Sequence, residues 1–216
     1  MNWLRRQREG FLENWYSIDG VLLFISLCVI YIVMFLLKRM LIIDNIAAFE
    51  ILQERGEMWV FDLFFGLTYL SVPIFLAWKF AFTTLAIWMG SFMFGYRITF
   101  AQLWKLVMIC ELIFIVAEIC KIGWFTVIPQ DMDYQDYQAF YPLSVMNLVN
   151  YADVPGKWHY PFKSLNLFEL VYWMMLIIGV FWISGKRLKI SLYVVTTSYV
   201  FLFFLWLTYY VLAHRS

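Results

Sequence analysis

"VFDLFFGLTYLSVPIFLAWKFAFTTLAIWMGSFMF", residues Val60 to Phe94, decides how this chain is threaded. As one straight helix these thirty-five residues would reach about 52 Å at ~1.5 Å per residue. That is too long for one upright crossing of a hydrocarbon core ~30 Å thick, and too short for two crossings and a turn. Charge breaks the tie. With one crossing, Arg5, Arg6, Arg8, Arg97, Lys105, Lys186, Arg187 and Lys189 share the side of the N-terminus. Two crossings would move Arg97, Lys105 and the "GKRLK" loop to the opposite side, against the positive-inside bias. The second span is therefore expected at about 71–94, with Trp59–Tyr69 a helical approach on the membrane surface or under other protein, broken near Pro73.

Outward from that stretch, four runs are long and apolar enough to cross: Val21–Leu37, Leu103–Ile128, Leu167–Ser184 and Ile190–Leu212. Each has to be helical, because an unpaired backbone amide in lipid finds no water. Of the 216 residues, 64% are hydrophobic, 22% aromatic and only 14% charged, which points to a polytopic membrane protein. The fold class expected is an all-α transmembrane helical bundle of five spans, about 21–37, 71–94, 103–128, 167–184 and 190–212. Its N-terminus is inside and its C-terminus outside. Residues 1–216 form a single membrane domain, without linker, repeat or low-complexity tract. The opening "MNWLRRQREG" leads into an apolar run that has no small-x-small cleavage site and stops at Lys38-Arg39, and it reads as an uncleaved first span.

Two pieces lie between spans. "DNIAAFEILQERGEMW" spaces Ile46, Phe49, Ile51 and Leu52 among acidic residues, the pattern of an interfacial amphipathic helix at about 44–58. The segment at about 129–164 is dense in Tyr, Trp and Pro, as in "GKWHYPF", and is expected to form an outer aromatic cap at headgroup depth.

The candidate chemistry is an intramembrane polar network of Lys79, Glu111, Glu118 and Lys121. Glu111 and Glu118 stand seven residues apart, so they emerge from nearly one helix face. A carboxylate at mid-membrane costs a few kcal/mol, which turns the stripe inward. Counting depth from Ser71 and from Leu103 sets Lys79 level with Glu118, the expected pair. Glu111 is then isolated and protonated. Lys121 either competes for Glu118 or snorkels outward. Two readings stay open: a structural network that fixes helix packing, and a proton or ion relay. Asp62 and Glu169 fall near helix ends and are expected to cap or to reach headgroups, with Asn166 as N-cap and Glu169 at the third helical position.

Other features carry less. Asp131, Asp133 and Asp136 lack the turn glycine and terminal glutamate of a calcium loop. His159 and His214 have no partner at ligand spacing, so no metal is assigned. Cys28, Cys110 and Cys120 show no CxxC spacing and are expected to be free, buried thiols. No nucleophile and base stand in a recognised motif, and no cofactor box is present, so the chain is expected not to be an enzyme. A net charge of +1 offers nothing to nucleic acid. The expected partners are membrane lipids and other integral membrane proteins.

Two further stretches, "LAIWMGSFMFGYRITFAQLWKLVM" and "SLNLFELVYWMMLIIGVFWISGKRLKISLYVV", carry a glycine-bearing turn followed by a small hydroxyl residue, an aromatic and a glutamine in Gly95, Thr99, Phe100 and Gln102. They also carry Leu165, Leu167 and Phe168 ahead of Gly179, and then Gly185-Lys186. In these, roughly from Ala77 to Leu205, the chain resembles the Yip1 family of small five-span membrane proteins. It departs from that family in having one glycine at the first turn, in Glu111, and in the aromatic outer segment. The resemblance implies the five-span topology; eukaryotic members of the family act in membrane trafficking with small GTPases. The functional expectation is a non-enzymatic accessory or scaffold subunit of a larger membrane complex in a bacterial inner membrane. The alternative is a small transporter or channel component working along the Glu/Lys stripe.

Overall fold

A computed structural model describes residues 10, 15, 17–45, 58–127 and 134–214. Their architecture is all-α, with no strand among them; an isolated antiparallel bridge joins Ser144 and Asn166. The long helices are α1 (Gly20–Leu41) and α2 (Trp59–Met93), followed by α3 (Phe100–Cys110) and α4 (Leu112–Val127). Two shorter helices, α5 (Tyr134–Ala139) and α6 (Gly156–Ser164), precede α7 (Leu167–Ser184). The chain ends in α8 (Leu188–Val195), a π-helical turn (Thr196–Val200) and α9 (Phe201–Ala213). Among the described residues four helices are long and apolar enough to cross a membrane: Gly20–Leu41, Trp59–Met93, Leu167–Ser184 and the combined Leu188–Ala213. That makes the chain an integral membrane protein by length and composition.

Local chemistry sets the ends. The Asp19 carboxylate accepts from the Val21 amide at 2.8 Å and opens α1, and Lys38 and Arg39 sit favourably in its last turn. Helix α2 closes on Gly95, whose φ of +73° is the left-handed conformation that glycine adopts without cost. There the Tyr96 amide reaches back to the Ser91 carbonyl at 2.9 Å. Four residues on, Thr99 and Gln102 form a reciprocal capping box that starts α3: the Thr99 amide donates to Gln102 Oε1 at 3.0 Å, and the Gln102 amide to Thr99 Oγ1 at 3.4 Å.

Two expectations are corrected. The approach at Trp59–Tyr69 is not a separate piece broken near Pro73. It is the first part of one 35-residue helix that runs through the proline. Pro73 withholds one donor from the Tyr69 carbonyl, a loss that membrane helices tolerate because other groups satisfy the freed oxygen. The expected span at 103–128 comes as two helices meeting at Glu111, 11 and 16 residues long, so neither alone reaches the length of the four crossing helices. The Glu111 amide still donates to the Val107 carbonyl at 3.0 Å, which keeps the backbone right-handed across the joint. The expected interfacial helix at 44–58 lies mostly outside the described residues; what is described is a 3-10 turn at Ile43–Asn45 and the start of α2.

Contacts gather into two compact units, each built from parts of the same helices. The first comprises Met1–Leu27, Ala77–Leu112 and Leu170–Thr208. Its core includes Phe80, Leu103, Val107, Leu176, Val180 and Val194, all fully buried. Edge-to-face contacts tie Phe80 to both Phe24 and Trp104 at 6.2 Å. Its helices approach most closely at two glycines. A Cβ on Gly179 of α7 would lie 2.1 Å from Leu106 Cδ1, and one on Gly90 of α2 would lie 2.8 Å from Ser198 Cβ in the π turn. Small residues at such positions let membrane helices meet backbone to side chain.

The second unit comprises Cys28–Leu76, Ile113–Glu169 and Tyr209–Ser216. Within it, the part of the aromatic segment that is described folds into α5, two 3-10 turns and α6. The Val145 amide donates to the Leu165 carbonyl at 2.9 Å and the Leu167 amide to the Leu143 carbonyl at 3.1 Å, which straps this segment to the start of α7. Stacked rings of Trp124 and Phe140 at 5.3 Å, and of Tyr151 and His159 at 4.0 Å, fill it.

Candidate functional site

The four residues of the expected polar network fall into separate constellations, one in the first unit and the rest in the second. In the first, the Lys79 ammonium donates to Glu111 Oε1 at 2.6 Å. The Glu111 side chain is 0% exposed, and Lys79 is 32% exposed. The pair is therefore shielded from solvent on the carboxylate side and reached by it on the lysine side. This overturns the Lys79–Glu118 pairing expected from depth counting. The count started α2 at Ser71, whereas the helix begins at Trp59 and is continuous, so its rotational setting was not fixed by the assumed membrane entry. Glu111 is also not the isolated carboxyl of that expectation: it is the one held by Lys79.

In the second unit, Glu118 pairs with Lys38 at 2.9 Å, with side-chain exposures of 21% and 11%. Lys38 had been read only as a charge ending the first span, yet α1 continues to Leu41 and carries Lys38 back among the helices. Lys121 does not take Glu118. Its ammonium donates to the Tyr137 carbonyl at 2.9 Å and lies 4.1 Å over the ring of the same residue. A helix-to-helix contact of this kind leaves no mark in sequence spacing.

The residues expected at helix ends also separate. Asp62 is bound by the Arg39 guanidinium, which holds Asp44 at 3.5 Å as well and lies 4.6 Å from the Phe65 ring. Its place is therefore an ion pair between α1 and α2 rather than a cap. Asn166 Oδ1 accepts from the Glu169 amide at 2.8 Å at the head of α7, while its amide donates to the Lys163 and Ser164 carbonyls at 3.0 Å. Glu169 itself is 6% exposed.

Sequence reasoning missed a cavity of about 730 Å³ in the second unit. Its walls include Trp124 and Phe125 near the end of α4, Phe140, Met146 and Val149 of the following segment, and Phe168 in the first turn of α7. Cys120 opens onto it and is exposed, which corrects the expectation that all three thiols are buried; Cys28 and Cys110 are. No periodic pattern could have found this cavity, because its walls come from a loop segment and from the ends of two helices. Lys163 of α6 donates at 2.9 Å to the carbonyl of Gln138, the residue before Ala139 of the cavity wall, and burial pulls its ammonium below the ordinary lysine value.

No cluster of His, Cys, Asp or Glu among the described residues is arranged to hold a metal. His159 stacks on Tyr151 with Nε2 2.8 Å from the Val154 carbonyl, and His214 stacks on Tyr210 at 4.1 Å. Asp131 and Asp133 lie outside the described residues. No protein-family model, no curated protein and no solved structure matches the chain.

Proposed function

We propose that this chain is a non-enzymatic accessory subunit that binds other integral membrane proteins. In this reading it spans a bacterial inner membrane five times, with α3 and α4 together as the third span, the N-terminus inside and the C-terminus outside. The observation that carries the reading is the Lys79–Glu111 pair: a carboxylate without solvent exposure, held at 2.6 Å by a lysine of another helix, is the contact of a structural network that fixes how helices pack. The cavity at Cys120 does not include Glu111 in its walls. A second feature supports partners. Only 11% of the most apolar window of α1 and of α2 is buried, against 39% for α7. Along α2, Leu63, Leu67, Leu70, Ile74 and Trp78 recur at helical spacing and are all exposed.

The test is affinity purification of the tagged chain from its native membranes, followed by identification of bound membrane proteins and by proton-flux measurement in reconstituted vesicles. We expect a stoichiometric membrane partner that is lost when Ile74 and Trp78 are both replaced by alanine, and no flux above that of empty vesicles. A monodisperse monomer without partners would overturn the proposal. Flux that disappears in Glu111→Gln would replace it with the transport alternative.

A further inference from the structure

We infer that the cavity of the second unit is a binding site for an anionic phospholipid, with an acyl chain among its aromatic walls and the headgroup phosphate at Lys163. At about 730 Å³ the cavity has the size of a small-molecule site, and its walls are mostly apolar, with Cys120, Asn147 and Tyr151 as the polar side chains. Trp124 lies in the last turn of α4 and Phe168 in the first turn of α7, so the cavity sits at the ends of apolar helices. That is the depth at which acyl chain gives way to headgroup.

Charge selects the headgroup. Lys121 and Lys163 both donate to carbonyls of α5, at Tyr137 and Gln138, and Ala139, the next residue, lines the cavity. Carbonyl oxygens satisfy hydrogen bonding without neutralising charge. Lys121 is attracted by Glu118 and, more weakly, repelled by Lys38 and Lys163, so Lys163 is the less compensated of the two cations. Glu118, the carboxylate facing them from α4, is engaged by Lys38 at 2.9 Å, and Glu169 is buried in the first turn of α7. Among the described residues neither Lys121 nor Lys163 makes an ion pair with an acid. A positive field therefore stands beside an apolar slot, which matches a lipid phosphate with its chain attached. Lys163 is the more exposed and makes the direct contact; Lys121, 9% exposed, supplies field from behind.

Cys120 provides the readout, since Cys28 and Cys110 are buried and silent. The full chain is reconstituted in nanodiscs of phosphatidylcholine alone, or of phosphatidylcholine with phosphatidylglycerol, and the maleimide labelling rate is measured, with Cys120→Ser as the blank. Retained lipid is identified by native mass spectrometry. We expect phosphatidylglycerol to slow labelling of Cys120 and to remain bound, both effects being lost in Lys163→Gln and weakened in Lys121→Gln. Val149→Trp, which fills the slot and leaves the charges alone, should expel the lipid. It serves as the independent variant if a lysine variant does not fold. Equal labelling in the two lipids overturns the inference. So does slowing that persists in Lys163→Gln, which would reflect only the lower pH at an anionic surface. Protection by inorganic phosphate in phosphatidylcholine discs would overturn it in favour of a free-anion site.

Discussion

Glu111 stands at the joint between α3 and α4 and Glu118 within α4, and each holds a lysine from another helix, yet the two pairs live in different surroundings. In the first unit the carboxylate is fully buried although its lysine keeps 32% exposure, and two glycines of that unit sit where a Cβ would clash with a neighbouring side chain. In the second unit the pair keeps 21% and 11% exposure, and the unit contains an open slot instead of a tight seam. The chemistry of the partners is the same, so the difference in energy comes from solvent access. A buried charge stripped of its partner has no water to fall back on, whereas a part-exposed one does. The first pair thus serves as a lock and the second as an adjustable contact.

The widest contrast should come from deleting one lysine of each pair. Lys79→Ala leaves the Glu111 carboxylate buried without its cation, and we expect a loss of about 3–5 kcal/mol in denaturant unfolding of the protein in micelles. Lys79→Met combined with Glu111→Leu removes both charges and should recover most of that loss, because the desolvation cost disappears with the attraction. If Lys79→Ala unfolds like the native chain, the two pairs do not differ as described and the lock is not a lock.

What could be read in advance follows the same divide. The apolar runs announced their helices, because twenty apolar residues in lipid have no alternative conformation. Gly95 marked the turn between α2 and α3, whereas the capping box of Thr99 and Gln102, written in local residue types, went unread. The partners of Glu111 and Glu118 were not legible. Which lysine meets which carboxylate depends on the rotation of whole helices, and Pro73, read as a break, is absorbed within α2. Lys38 looked like an ordinary charge at the end of a span until α1 ran on to Leu41. The slot at Cys120 had no signature at all, being assembled from residues spread between 120 and 168 with no common period.

The seam in the first unit can be broken without touching a charge. Gly179→Ala puts a methyl group 2.1 Å from Leu106 Cδ1, inside any permitted contact, so Leu106 has to leave its rotamer within a buried core. We expect a cost of roughly 1–3 kcal/mol, as for other overpacked cores. Leu106→Ala in the same chain should return part of it by vacating the space, a coupling that a double-mutant cycle reads directly. Additive effects would mean that the two residues do not share that space.

The smallest effect belongs to the second pair. Lys38→Ala removes the partner of Glu118, but the carboxylate is 21% exposed and stays within the field of Lys121. Water and the second lysine both soften the loss, so we expect no more than about 1 kcal/mol, shrinking further as salt is raised. The same substitution also lifts one positive charge from behind Lys121 and Lys163. It should therefore weaken retention of phosphatidylglycerol more visibly than it weakens the fold, a separation that unfolding and lipid mass spectrometry measure on one sample. A loss as large as that of Lys79→Ala would show that exposure does not set the worth of these pairs, and would remove the distinction between them.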